Sequence, residues 1–141
     1  HIDVFADDGY TKEELKMTNE TKKILDQNIE LTATCVRIPV LISHAESVNI
    51  QFKKPFSIEK VKEALDKADG CEVYDSRKDG GYSTPVEATG KDETFISRIR
   101  KDKTNKNTLN LWIVSDNLLR GAALNSVEIA ETVIKYNLHE K

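Results

Sequence analysis

Residues 108 to 115 read Thr-Leu-Asn-Leu-Trp-Ile-Val-Ser, and their alternation constrains the fold more than any other stretch. Read as a strand, Leu109, Leu111 and Ile113 point one way, while Asn110, Trp112 and Val114 point the other. A strand with apolar residues on both faces runs through the middle of a sheet or covers an interface. Residues 94 to 100 precede it across a polar loop, which predicts an antiparallel hairpin. Ser47-Val48-Asn49-Ile50-Gln51-Phe52-Lys53 alternates strictly and predicts a strand buried on one side, and a short strand is expected at residues 71 to 75.

Helices are signalled by their ends. Thr11 followed three residues later by Glu14 is a capping box for a helix to about Asp26, with Leu15, Ile24 and Leu25 as its apolar contacts. Ser57 caps a second helix whose Val61, Ala64, Leu65 and Ala68 fall at helical spacing, and Gly70 ends it. Asp116-Asn117 opens a last helix running to about Tyr136, with Gly121-Ala122-Ala123 early in it and tight helix packing as the ordinary use of such small residues. Gly80-Gly81 lacks the strand-to-helix context of a phosphate-binding loop and reads as a turn. Thr84 to Glu87 reads as an irregular connection. The order of elements gives an α+β fold: a mixed, mostly antiparallel sheet with helices on one face.

Length and charge narrow the function. A chain of 141 residues suits a single domain, residues 1 to 141, with a real core. A net charge of -3 without a basic tract argues against nucleic acid. No apolar run reaches the roughly 20 residues that cross a bilayer. Cys35 and Cys71 form no CxxC pair and no zinc spacing, so no metal site is expected and a reduced, cytoplasmic setting is favoured. The first residues have no signal-peptide form and no initiator Met, and the chain reads as if it began inside a longer protein.

Chemistry concentrates at Thr34-Cys35-Val36-Arg37-Ile38-Pro39-Val40-Leu41-Ile42-Ser43-His44. Its alternation predicts the start of a strand, and Pro39 favours an edge or a bulge. Arg37 and His44 are seven apart, on opposite faces of an unbroken strand; a bulge would turn both to one side. They would offer a two-pronged anion binder and a side chain that titrates near neutral pH. A snorkelling arginine and a structural histidine are the plainer alternatives. Glu13 and Lys16 share a helix face, ordinarily as a surface ion pair.

Several stretches in order resemble the C-terminal region of aspartate-semialdehyde dehydrogenase. They are Gly9-Tyr10-Thr11-Lys12-Glu13-Glu14-Leu15-Lys16, Asn19 to Leu25, Cys35-Val36-Arg37-Ile38-Pro39-Val40 with His44, and Pro85-Val86-Glu87-Ala88. Gly90 to Glu93, Arg98-Ile99-Arg100, Asn110-Leu111-Trp112 and Asp116 to Asn125 continue the series. The resemblance implies a cytosolic enzyme, a homodimer through its sheet or a tetramer, that uses NADPH to reduce aspartyl phosphate to aspartate semialdehyde for lysine, threonine and methionine synthesis. In that chemistry a cysteine thiolate expels phosphate from the acyl phosphate, and the thioester is then reduced. The resemblance gives His44 the acid/base role, Arg37 the substrate carboxylate, Glu13 the substrate amino group, Lys16 the phosphate, and Asn117 a place near the nicotinamide end of the cofactor. The fold it implies is that of the C-terminal domain of glyceraldehyde-phosphate dehydrogenase. Neither Cys35 nor Cys71 matches the family's nucleophile motif, and the glycine-rich dinucleotide stretch is expected upstream of His1. The chain thus reads as most of a substrate and dimerisation domain, with a catalytically silent dimerisation module as the alternative for the piece in isolation.

Overall fold

In a computed structural model describing residues 1 to 138, the capping box forms and starts α1, Lys12–Ile24. The Thr11 amide donates to Glu14 Oε2 at 2.8 Å, and the Glu14 amide donates to Thr11 Oγ1 at 3.3 Å, so two otherwise orphaned donors are satisfied reciprocally. This helix belongs to the first of two compact units, His1–Pro39; the second is Val40–Lys141. Within the first unit the helix's last apolar residues find no cover. Ile24 and Leu25 are exposed, against the expectation of burial, because a 39-residue unit has too little apolar surface to enclose both ends of a helix.

The expected strand at residues 34 to 43 does not form. Residues 26 to 43 hold no regular structure, and Val36, Ile38 and Leu41 are exposed. Alternation makes a strand only where the backbone amides pair with a neighbouring strand. Here the Cys35 amide is satisfied instead by a side chain, Glu14 Oε1 at 2.8 Å, and Pro39 has no amide to offer.

The second unit is built on a four-stranded mixed sheet of order β1-β4-β3-β2. Its strands are β1 (His44–Gln51), β2 (Cys71–Val73), β3 (Thr94–Lys101) and β4 (Thr108–Ser115), so the two-faced apolar strand is indeed internal. β1 and β3 flank β4 antiparallel, and β2 runs parallel to β3. One face carries Ile96, Ile99, Leu109 and Leu111, covered by Ile58, Val61 and Leu65 of α2 (Ile58–Asp66). The opposite face packs Phe95 and Val114 against Ala88, which belongs to α3 (Pro85–Ala88). An irregular connection is expected from the sequence at this point, and a single helical turn stands there instead. It forms because Pro85 fits the first turn and Glu87 accepts from the Thr84 amide at 2.8 Å.

A bulge between Ser97 and Arg100 breaks the β3–β4 register, with Arg98 at φ 54°. It resets the alternation, so that Ile96 and Ile99 enter the same core rather than opposite faces. After β4 the chain makes one π-helical turn, Leu119–Ala123, and continues as α4, Leu124–Lys135. Gly121 is exposed, and a Cβ built there meets only Asn117 Cβ at 3.9 Å, so the expected close packing at the small residues is absent among the described residues.

Candidate functional site

In the first unit, α1 presents Glu13 and Lys16 one turn apart, joined Nζ to Oε2 at 2.8 Å. The hydrogen bond to Glu13 raises the lysine's pKa and keeps it charged. Glu14, facing the other way, has its pKa lowered by the amides of Thr11 and Cys35. Its second oxygen therefore ties the extended segment that carries Arg37 to the start of α1. Arg37, Cys35, Glu14 and Tyr10 are among the residues that line an open hollow of about 710 Å³; Glu13 and Lys16 are not part of that lining. The Arg37 guanidinium is exposed and makes no hydrogen bond or ion pair among the described residues.

In the second unit, His44 is the first residue of β1 and its side chain is 54% exposed. Its Nδ1 lies 3.7 Å from Glu46 Oε1, an ion-pair separation outside hydrogen-bond reach. The residue before it, Ser43, is buried and sits at φ 73°, in the left-handed region that a serine enters only at a cost. Its amide donates to Asn117 Oδ1 at 2.7 Å. The amide orientation is fixed by this bond, since an N–H requires the carbonyl end of the Asn side chain. Asn117 Nδ2 is left as a donor. Asp116 is buried beside it, accepting from the amides of Leu118 and Leu119 with one oxygen and from Gly90 with the other; these bonds, the one from Gly90 foremost, lower its pKa.

Residues 1–120 match the family model described as semialdehyde dehydrogenase, dimerisation domain. The chain belongs to this family. It is 49% identical to the aspartate-semialdehyde dehydrogenase of Aquifex aeolicus over 98% of its own length and 41% of that protein's. Its identity to the Bacillus subtilis enzyme of the same name is 48%, over 97% of this chain and 40% of the other. Its fold superimposes with a TM-score of 0.89 on aspartate semialdehyde dehydrogenase II from Vibrio cholerae complexed with ASA, at 42% identity, covering 96% of this chain and 40% of that one. The chain thus spans about two fifths of the length of the relatives it matches.

Two contacts within this semialdehyde dehydrogenase dimerisation domain leave no mark in the sequence. The capping box announces Glu14, but nothing in the spacing signals its bond to Cys35, 21 residues away. Only the family resemblance points to Asn117, and its engagement with Ser43 spans 74 residues. Gly80-Gly81 is a closed turn: the Ser76 amide donates to the Gly81 carbonyl at 2.9 Å, and a Cβ on Gly81 would meet Ser76 O at 2.6 Å. No described helix is long and apolar enough to cross a membrane.

Proposed function

We propose that this chain supplies the acid/base group and the substrate-holding side chains of an aspartate-semialdehyde dehydrogenase, the enzyme that converts aspartyl 4-phosphate to aspartate 4-semialdehyde in the cytoplasm. The observation that carries the reading is His44: an imidazole half open to solvent at the first residue of a sheet strand, set there by a buried and strained neighbour. A structural histidine has no need of that exposure. Placed at a reacting thiol and acyl group, it takes the thiol proton and later moves a proton at the substrate oxygen.

Arg37 binds the substrate carboxylate, for which its planar fork is suited and a lysine's point charge is not. Glu13 takes the substrate ammonium and Lys16 the phosphate. In the free protein these two neutralise one another, and a ligand bearing both an ammonium and a phosphate replaces that pair with two of the opposite sense. NADP, when bound, supplies the hydride. In this chain the Asn117 Nδ2 is the donor assigned to its nicotinamide end.

His44→Ala in the full-length enzyme tests the reading. We expect kcat to fall roughly 100-fold with little change in the substrate KM, as for loss of a general acid/base. An unchanged kcat removes His44 from the chemistry.

For the chain by itself, the family description favours a second role, dimerisation. The sheet face bearing Ser47 and Trp112 is the surface we assign to it. Ala88 of α3 packs with Phe95 and Val114, Ala45 and Trp112 beside them are only partly buried, and Ser47 is exposed.

A further inference from the structure

Ser43 stands out in the second unit: a serine, not a glycine, at φ 73°, buried, and immediately before His44. Such a conformation persists only where its surroundings enforce it. Two neighbouring segments do so. From one side, Asn117 Oδ1 accepts the Ser43 amide at 2.7 Å. From the other, Ser43 Oγ lies 3.2 Å from Thr89 Oγ1, whose own proton goes to the Pro85 carbonyl at 2.9 Å, so Ser43 is the donor. The two segments are also tied to each other, because Asp116 accepts the Gly90 amide at 2.8 Å.

We infer that Asn117 is a positioning residue for His44, acting through the Ser43 backbone, and that its two ends have separate tasks. The carbonyl oxygen fixes the Ile42–Ser43 peptide, one residue before the one that carries the imidazole, and the NH2 remains for the ligand. The inference rests on the acid/base reading of His44. A side chain that holds the acid/base residue with one end and meets the cofactor with the other keeps the two in step.

The test uses the full-length enzyme, with steady-state kinetics on Asn117→Ala, Asn117→Asp, His44→Ala and the His44→Ala/Asn117→Ala double variant. Asn117→Ala is expected to lower kcat roughly 10-fold, the order expected for a modest misplacement of a catalytic group. Asn117→Asp keeps an acceptor at the same place and lacks the donor. It should recover most of the lost kcat while leaving the NADP KM raised. In the His44→Ala background, Asn117→Ala should lower kcat no further.

An Asn117→Asp variant as slow as Asn117→Ala overturns the inference, as does a second 10-fold loss in the double variant. A normal kcat in Asn117→Ala, with His44→Ala strongly impaired, overturns it while leaving the acid/base reading intact. A normal kcat in His44→Ala overturns that reading, and the inference with it. Amide hydrogen exchange of the unmodified enzyme gives a measurement free of folding defects: slow exchange at Ser43 is expected, and fast exchange overturns the clamp.

Discussion

At the scale of single residues, Ser43 is where stability has been spent. An L-residue in the left-handed region costs roughly 1–2 kcal/mol, whereas glycine enters it freely but loses about 0.4–1 kcal/mol through its looser unfolded chain. Ser43→Gly should therefore raise stability by roughly 0.5–1 kcal/mol, read from the denaturant midpoint at unchanged slope. A fall in stability would mean that the Oγ bond to Thr89 outweighs the backbone strain. The sequence singles out His44 and Arg37 as candidates, since the family resemblance runs straight through them. What holds them is not legible there. The partners of Ser43 lie 46 and 74 residues away, and a polar bond between irregular segments leaves no periodic trace in the chain.

Among the elements, the sheet was the most readable part. Alternation and turn residues located β1, β3 and β4, and the two-sided apolar pattern of β4 identified it as internal. The bulge at Arg98 was hidden, because Ile96 and Ile99 are spaced as on a helix and belong to one core only after the backbone slips. Ile99 is fully buried, and Ile99→Ala should cost roughly 3 kcal/mol, within the usual range for emptying a core position, measured by chemical denaturation. A loss below about 1 kcal/mol would show that the bulge relaxes into the space. The run from residue 34 to 43 failed as a strand although its pattern was right: the Cys35 amide is taken by Glu14 and Pro39 has none to pair.

Acid should loosen α1 through Glu14. Its folded pKa is lowered from the ordinary 4.5, so its contribution is complete above about pH 4.5 and is lost as pH falls through the folded value. Helicity and thermal midpoint followed from about pH 7 to about pH 3 should show that loss, and Glu14→Gln should lack this part of the fall. An identical acid profile in the variant would place the acid sensitivity in other carboxylates.

For the whole molecule, the sheet has two differently finished faces. One is closed by α2. The other has Phe95 and Val114 under α3, while Ser47 and Trp112 continue it toward the polar network of Asn49, Asn110 and Asp102. Trp112 donates its Nε1–H to the Ser83 carbonyl at 2.8 Å, so its ring is held rather than mobile. If this face joins two copies, Ser47→Arg puts a bulky charged side chain into the interface from each copy. The full-length enzyme should then sediment as a monomer, and an intact dimer would move the interface elsewhere.

The wide turn at Leu119–Ala123 governs the direction of α4. It holds one residue more than an α-helical turn, and each helical residue advances the chain about 100° around the axis. Deleting any one of its five positions would therefore leave the length of the last helix almost intact but swivel it by more than a quarter of a revolution. Val127, Ile129 and Ile134 would aim their side chains along new bearings, while Asn117, upstream of the pivot, stayed put. One supernumerary residue thus acts as the dial that sets the azimuth of the C-terminal rod.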